Sequence, residues 1–237
     1  MLKAIMIWDK NLRMKEYSIS LTNTPPEMKG MWDGSVWQDV SAIEVAYYRL
    51  EGTAHQPKTL YKMLYNRERI YGIFKVADQY VRCIHTAFQS DVYKDSCVEF
   101  FVQPSDQNGY FNFEFNCGGA MLASFVTDPT RIDGEVKSFV PLTTDDDLQI
   151  QRYHSLPNIV DPEITQKIVW LLEFSIPFAV LEKYVGKLGN VSGQTWRGNF
   201  YKCGNETSHP HWGAWSPISE LNFHLPNNFG ILQFAKP

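Results

Sequence analysis

The run from Tyr110 to Asn116 alternates without a break, with Phe111, Phe113 and Phe115 on one parity and Tyr110, Asn112, Glu114 and Asn116 on the other. Successive side chains of a strand point to opposite faces, so this pattern specifies a strand with one aromatic face in a core. Its second face carries amides and a carboxylate and suits either solvent or a hydrogen-bonding ligand. The run before it, Cys97 to Gln103, places Val98, Phe100 and Val102 on one parity and Glu99 on the other, so Glu99 need not be buried. A short Pro/Asp/Asn/Gly connection joins the two runs, and the stretch Asp91 to Asn116 reads as a strand pair preceded by an aromatic residue, Tyr93, and a cluster of acids.

Further strand patterns cover Ile43 to Leu50, Lys58 to Tyr65, Ile70 to Ala77, Ala120 to Val126, Ile150 to His154, Ile168 to Ile176, Trp196 to Cys203 and Asn228 to Phe234. Asn66 to Arg69 makes a hairpin-like join between the second and third of these. Ile168, Trp170, Leu172, Phe174 and Ile176 share one parity; so do Trp196, Gly198 and Phe200, opposite Arg197, Asn199 and Tyr201. Val81 to Phe88 reads as a short strand or an irregular segment, and Asp128 to Asp147, with Pro129, Gly134 and Pro141, as a loop. Phe178 to Val185 is the one helical segment, closed by Gly186 and Gly189. About ten short strands with turn signals between them and one short helix predict an all-β fold, an antiparallel β-sandwich. Residues 1–237 are expected to form a single domain, with 1–29 as a lead-in strand and loop.

The function classes narrow by exclusion. A net charge of −4 without a basic stripe gives no footprint for nucleic acid. No apolar run approaches a membrane span. The N-terminal residues meet charge too early for a signal peptide, which leaves localisation open. The 4 cysteines, Cys83, Cys97, Cys117 and Cys203, contain no CxxC pair and read as free, mostly buried thiols. Cys203, His209 and His211 lack the second half of a metal-binding pattern. Asp145, Asp146 and Asp147 lack the spaced ligands of a calcium loop. Gly118-Gly119 lacks the lysine and helix of a phosphate loop, and no GxSxG occurs. Trp196, Trp212 and Trp215 read as core.

Six motifs occur in order: Trp32 to Trp37 (WDGSVW), Leu64 to Asp78 (LYNRERIYGIFKVAD), Tyr93 to Glu99 (YKDSCVE), Leu171 to Pro177 (LLEFSIP), Trp196 to Tyr201 (WRGNFY) and Trp215 to Phe234 (WSPISELNFHLPNNFGILQF). Together they resemble the family 9 carbohydrate-binding modules, and more closely their stand-alone family 9-like bacterial relatives. The resemblance covers the chain after the lead-in. It implies a jelly-roll sandwich that binds sugar without catalysis, in the service of polysaccharide breakdown. Members clamp a glucan or xylan chain end between two tryptophans, with charged and amide side chains meeting the hydroxyls. Tyr93 stands at the first tryptophan position, Phe223 at the second, and Glu99 at a family carboxylate; the remaining polar contacts map onto Asn112 and Tyr201. The resemblance implies a mono- or oligosaccharide partner and no resident cofactor, although some members carry structural calcium.

The chemistry suits such a partner. A pyranose has an apolar CH face that stacks on an aromatic ring and a rim of hydroxyls that needs donors and acceptors of fixed geometry. Two other readings stand beside it: a glycoside hydrolase using Glu99 with Asp95 or Glu114, and a sandwich that binds a protein or a cofactor.

Overall fold

A computed structural model describes residues 14–104 and 109–237; the first part of the lead-in and most of the 104–109 connection lie outside them. The described residues hold sixteen strands: β1 (Glu16–Leu21), β2 (Ile43–Val45), β3 (Tyr47–Tyr48), β4 (Lys58–Tyr65), β5 (Arg69–Asp78), β6 (Val81–Cys83), β7 (Cys97–Gln103), β8 (Tyr110–Asn116), β9 (Met121–Ile132), β10 (Glu135–Pro141), β11 (Gln151–His154), β12 (Val160–Ile164), β13 (Ile168–Pro177), β14 (Thr195–Cys203), β15 (Trp212–Ala214) and β16 (Gly230–Phe234). One sheet runs β10-β9-β8-β7-β14-β16-β1 and the other β1-β4-β5-β13-β11. The architecture is the expected β-sandwich.

The alternation read from the sequence sets the core between the sheets. Phe100, Phe111, Phe113, Phe115, Trp196 and Phe200 come from the first sheet, and Tyr61, Phe74, Trp170, Leu172, Phe174 and Ile176 from the second. Phe115 stacks on Phe174 at 5.0 Å, and Tyr61 meets Phe200 at 4.2 Å. Stacked and tilted aromatic pairs add to the burial of their large apolar surfaces. Gly72 makes room for this layer, because a Cβ there would sit 2.5 Å from the Phe174 ring and 2.6 Å from the Tyr61 hydroxyl. Outside the second sheet, Trp32 and Trp37 of the WDGSVW segment, with Val40 just after it, pack on Leu64, Tyr71 and Ile73. Glu173 accepts hydrogen bonds from Gly30 N at 2.8 Å and Trp37 Nε1 at 2.9 Å, which fixes that segment.

Three features differ from the expectation. β1 pairs in parallel with both β16 and β4, so it joins the sheets at one edge. A second helix, α1 (Thr144–Asp147), precedes α2 (Phe178–Val185). Thr143 caps α1 in a capping box with Asp146, and Lys183 and Tyr184 also bond Asp146 while Arg152 pairs with Asp147. The largest difference is 128–141, expected to be loop, which extends the strand expected at Ala120 to Val126 and pairs with it as the hairpin β9–β10. Its turn residues Asp133 (φ 53°) and Gly134 (φ 88°) both have positive φ, the geometry of a primed hairpin turn that matches strand twist.

The 4 cysteines are free and buried, as read from the sequence. Among the described residues no helix is long and apolar enough to cross a membrane.

Candidate functional site

The polar face of β8 looks outward from the first sheet, and a cleft of about 650 Å³ opens above it. That volume lies within the range of small-molecule sites. Its floor is β7, β8 and β14. Antiparallel register sets Glu99 directly opposite Glu114 on one side and Tyr201 on the other, and Phe101 opposite Asn112. Asn112 is held at both ends, accepting from Ser124 N at 3.0 Å and donating to Glu114 Oε1 at 2.9 Å. The Cys203 thiol donates to Glu99 Oε1 at 3.1 Å. The second carboxylate oxygens, Glu99 Oε2 and Glu114 Oε2, are buried and find no hydrogen-bond partner among the described residues. Buried polar atoms nearly always have partners, so two orphans in one cleft point to a ligand or water that completes them.

Four segments wall the cleft. The short 3-10 helix Val92–Lys94 presents Tyr93, and Asn205 N donates to the Tyr93 carbonyl at 3.1 Å. The β9–β10 hairpin contributes Arg131, Val136 and Phe139. Trp212 stands beside Asn205, to which its Nε1 donates at 2.7 Å. The C-terminal loop supplies Leu221 to His224, and Arg131 Nε ties the hairpin to this loop by donating to Asn222 Oδ1 at 3.1 Å. Phe223 lies flat on Tyr201, with centroids 4.0 Å apart and planes 9° apart, and the Tyr201 hydroxyl donates to the Phe223 carbonyl at 3.0 Å.

Of the five residues singled out in the sequence, Tyr93, Glu99, Asn112 and Phe223 line the cleft. Tyr201 does not: it is 0% exposed, because Phe223 covers the ring that alternation turned outward. It supports the aromatic wall from behind. Parity left the exposure of Glu99 open; it is buried, because the cleft walls cover its face of the sheet. Trp212, expected in the core, is half-buried at the cleft wall. Arg131 and the hairpin were missed in the sequence, and Asp133-Gly134 was the signal that could have revealed them. Asp95 lies outside the cleft. Its Oδ2 accepts from Ile84 N, His85 N and Asn116 Nδ2, so it fixes a loop and forms no pair with Glu99. Cys203 and His211 also face apart: Cys203 lines the cleft, whereas His211 Nε2 meets Lys202 Nζ and His209 stacks on Tyr80.

Burial dominates the electrostatics of the floor. It raises Glu114 to about 7, although the Asn112 bond pulls the other way. Burial, with Cys203 and Glu114 nearby, raises Glu99 well above the carboxylate range. The folded protein therefore keeps the Glu114 proton at pH values where the unfolded chain releases it. The stability this confers is fully present below about pH 4.5 and is lost as pH rises through 7, by up to about 3 kcal/mol. Glu114→Gln retains the acceptor for Asn112 and cannot ionise, so its stability should fall less between pH 5 and pH 8. Urea midpoints at the two pH values measure this, and equal slopes in both proteins would contradict it.

The model of carbohydrate-binding family 9 matches residues 33–234. The chain belongs to that family. A protein from Bacteroides uniformis ATCC 8492, proposed to bind carbohydrate, is 26% identical, with a TM-score of 0.81 over 94% of this chain and 100% of that one. A family 9 module from Caldicellulosiruptor kristjanssonii, solved with glucose, is 12% identical with a TM-score of 0.63 over 94% of this chain and 97% of that one. The same organism's family 9 module solved with cellotriose is 14% identical with a TM-score of 0.64, over 94% and 95% of the two chains. At these identities the two modules share the family 9 fold. No curated protein matches the chain.

Proposed function

We propose that the cleft binds a mono- or oligosaccharide without catalysis, holding the sugar between Tyr93 and Phe223, in the service of polysaccharide breakdown. The observation that carries this reading is that two half-buried aromatic walls share a cleft with Glu99, Asn112 and Glu114, two of whose carboxylate oxygens lack partners among the described residues. The aromatic faces suit the CH face of a pyranose, and the floor suits its hydroxyls. A raised carboxyl can donate as well as accept, which matches a hydroxyl that does both. Trp212 adds a third aromatic surface at the rim. Membership of family 9 and the fold shared with modules solved with glucose and cellotriose support a glucose-containing ligand.

Hydrolysis has less support. It needs two carboxyl groups flanking one bond, whereas Glu99 and Glu114 rise side by side from neighbouring strands of one floor. Isothermal titration with glucose, cellobiose, cellotriose and xylobiose tests the proposal. Saturable heat with at least one sugar is expected, and a chromogenic glycoside should remain intact. No heat from folded protein with any of them, or release of chromophore that is lost in Glu99→Gln, would overturn it.

A further inference from the structure

Cys97, Glu99 and Cys203 form a cluster that sugar binding does not explain. Glu99 follows Cys97 by two residues on β7 and so shares its face of the sheet. Cys203 stands directly opposite Cys97 on β14. The two sulfurs and a Glu99 carboxylate oxygen all lie within 4.8 Å of one another. All three residues are buried, and Glu99, only 2% exposed, has Oε2 without a partner among the described residues. Glu99 and Cys203 also line the cleft, so the cluster has a path to solvent.

We infer that Cys97, Glu99 and Cys203 form a three-ligand site for a thiophilic divalent cation, with zinc the best fit and the fourth position open to the cleft. Two sulfurs and one carboxylate match the ligands that zinc takes, and bond lengths near 2.3 Å to sulfur and 2.1 Å to oxygen place ligand atoms roughly 3.6–3.8 Å apart around a tetrahedron. The observed cluster reaches that spacing with side-chain shifts of about 1 Å. Calcium and magnesium are disfavoured because hard cations prefer all-oxygen sets. Each thiol and the Glu99 carboxyl release their protons to solvent as they ligate, and the dication offsets two of the three negative charges this creates. β7 and β14 are neighbouring strands of one ladder, so two of the ligands are fixed by register and not by a flexible loop. The site shares Glu99 with the proposed sugar floor, so metal binding is measured on sugar-free protein and sugar binding on metal-free protein.

The test uses the full chain, reduced and stripped with chelator, titrated with cobalt(II) and then with zinc. The expected result is a thiolate-to-cobalt charge-transfer band that saturates at one ion per chain and is bleached by zinc. Cys97→Ser and Cys203→Ser should each weaken cobalt binding by more than roughly 100-fold, and Glu99→Gln by at least about 10-fold. Cys83→Ser, outside the cluster, should keep the band. No charge-transfer band in the folded wild-type protein would overturn the inference, and that reading requires no variant to fold. So would a band that persists in Cys203→Ser or disappears in Cys83→Ser.

Discussion

Phe223→Ala should weaken sugar binding at least about 30-fold, the loss of about 2 kcal/mol that truncating a central aromatic contact brings. One face of the Phe223 ring lies on Tyr201, and the residue lines the cleft. The side chain is half-buried, and its backbone carbonyl stays tied to the Tyr201 hydroxyl whatever the side chain is. Truncation should therefore lower unfolding stability by less than about 2 kcal/mol, well below the usual cost of removing a fully buried phenylalanine. Phe223→Trp enlarges the stacking surface at the same place and should hold or raise affinity. Tyr201→Phe removes the hydroxyl that positions residue 223 and should weaken binding by a smaller factor than Phe223→Ala. Calorimetric titration with the best sugar of the panel, beside thermal melts of each variant, separates these effects. If Phe223→Ala binds within threefold of wild type while Trp212→Ala does not bind, the sugar rests on Trp212 and the proposed clamp is wrong.

The difference between Phe223 and Tyr201 also shows how far the sequence could be read. Alternation correctly sent Phe111, Phe113 and Phe115 inward and Asn112 and Glu114 to the other face, because strand geometry fixes parity. Parity does not say what covers a face. Glu99 and Tyr201 both point away from the core between the sheets, yet the C-terminal loop and the β9–β10 hairpin close over that side and bury them. The hairpin escaped notice because β10 is exposed along most of its length, which leaves no hydrophobic period to detect. The parallel pairings of β1 join segments more than forty and two hundred residues apart, and no local signal reports them. The cluster of Cys97 with Cys203 has the same origin: their opposition follows from the β7–β14 register and not from any spacing in the chain. The order of the six motifs carried what periodicity could not, namely that Tyr93 and Phe223 belong to one cleft.

Lys202→Met should destabilise the fold by about 3–5 kcal/mol, the cost of leaving one partner of a buried ion pair uncompensated. Lys202 is 0% exposed and points between the sheets, on the parity of Trp196 and Phe200. Its Nζ lies 3.4 Å from Asp78 Oδ2, donates to the Cys203 carbonyl at 2.9 Å and reaches His211 Nε2 at 2.8 Å. His211 stays neutral, held down at about 3 by burial and by Lys202, so its Nε2 accepts while Nδ1 donates to the His209 carbonyl. Asp78 completes the cluster, accepting from Trp170 Nε1 at 3.0 Å and meeting His55 Nε2 at 2.9 Å. Burial alone would raise the Asp78 carboxyl, but attraction to Lys202 and the bond from His55 outweigh it and hold it far below the usual range. A depressed carboxyl contributes stability that is present above its ordinary value near 3.8 and is lost as pH falls below it. In Lys202→Met that contribution is gone, and Asp78 can shed its charge by taking up a proton. The gap between wild type and variant should therefore be widest near pH 7 and narrow toward pH 3.5. Asp78→Asn in the Lys202→Met background removes the orphaned charge and should recover at least about 2 kcal/mol, a coupling expected of side chains in direct contact. Urea midpoints of the two single variants and the double variant, taken at both pH values, measure the cycle. A double variant no more stable than Lys202→Met, or a gap unchanged with pH, would show that the pair does not link the sheets electrostatically. The link bears on the site because Lys202 lies between Tyr201, which backs Phe223, and Cys203, which lines the cleft, so the charge inside the sandwich holds β14 where the cleft floor needs it.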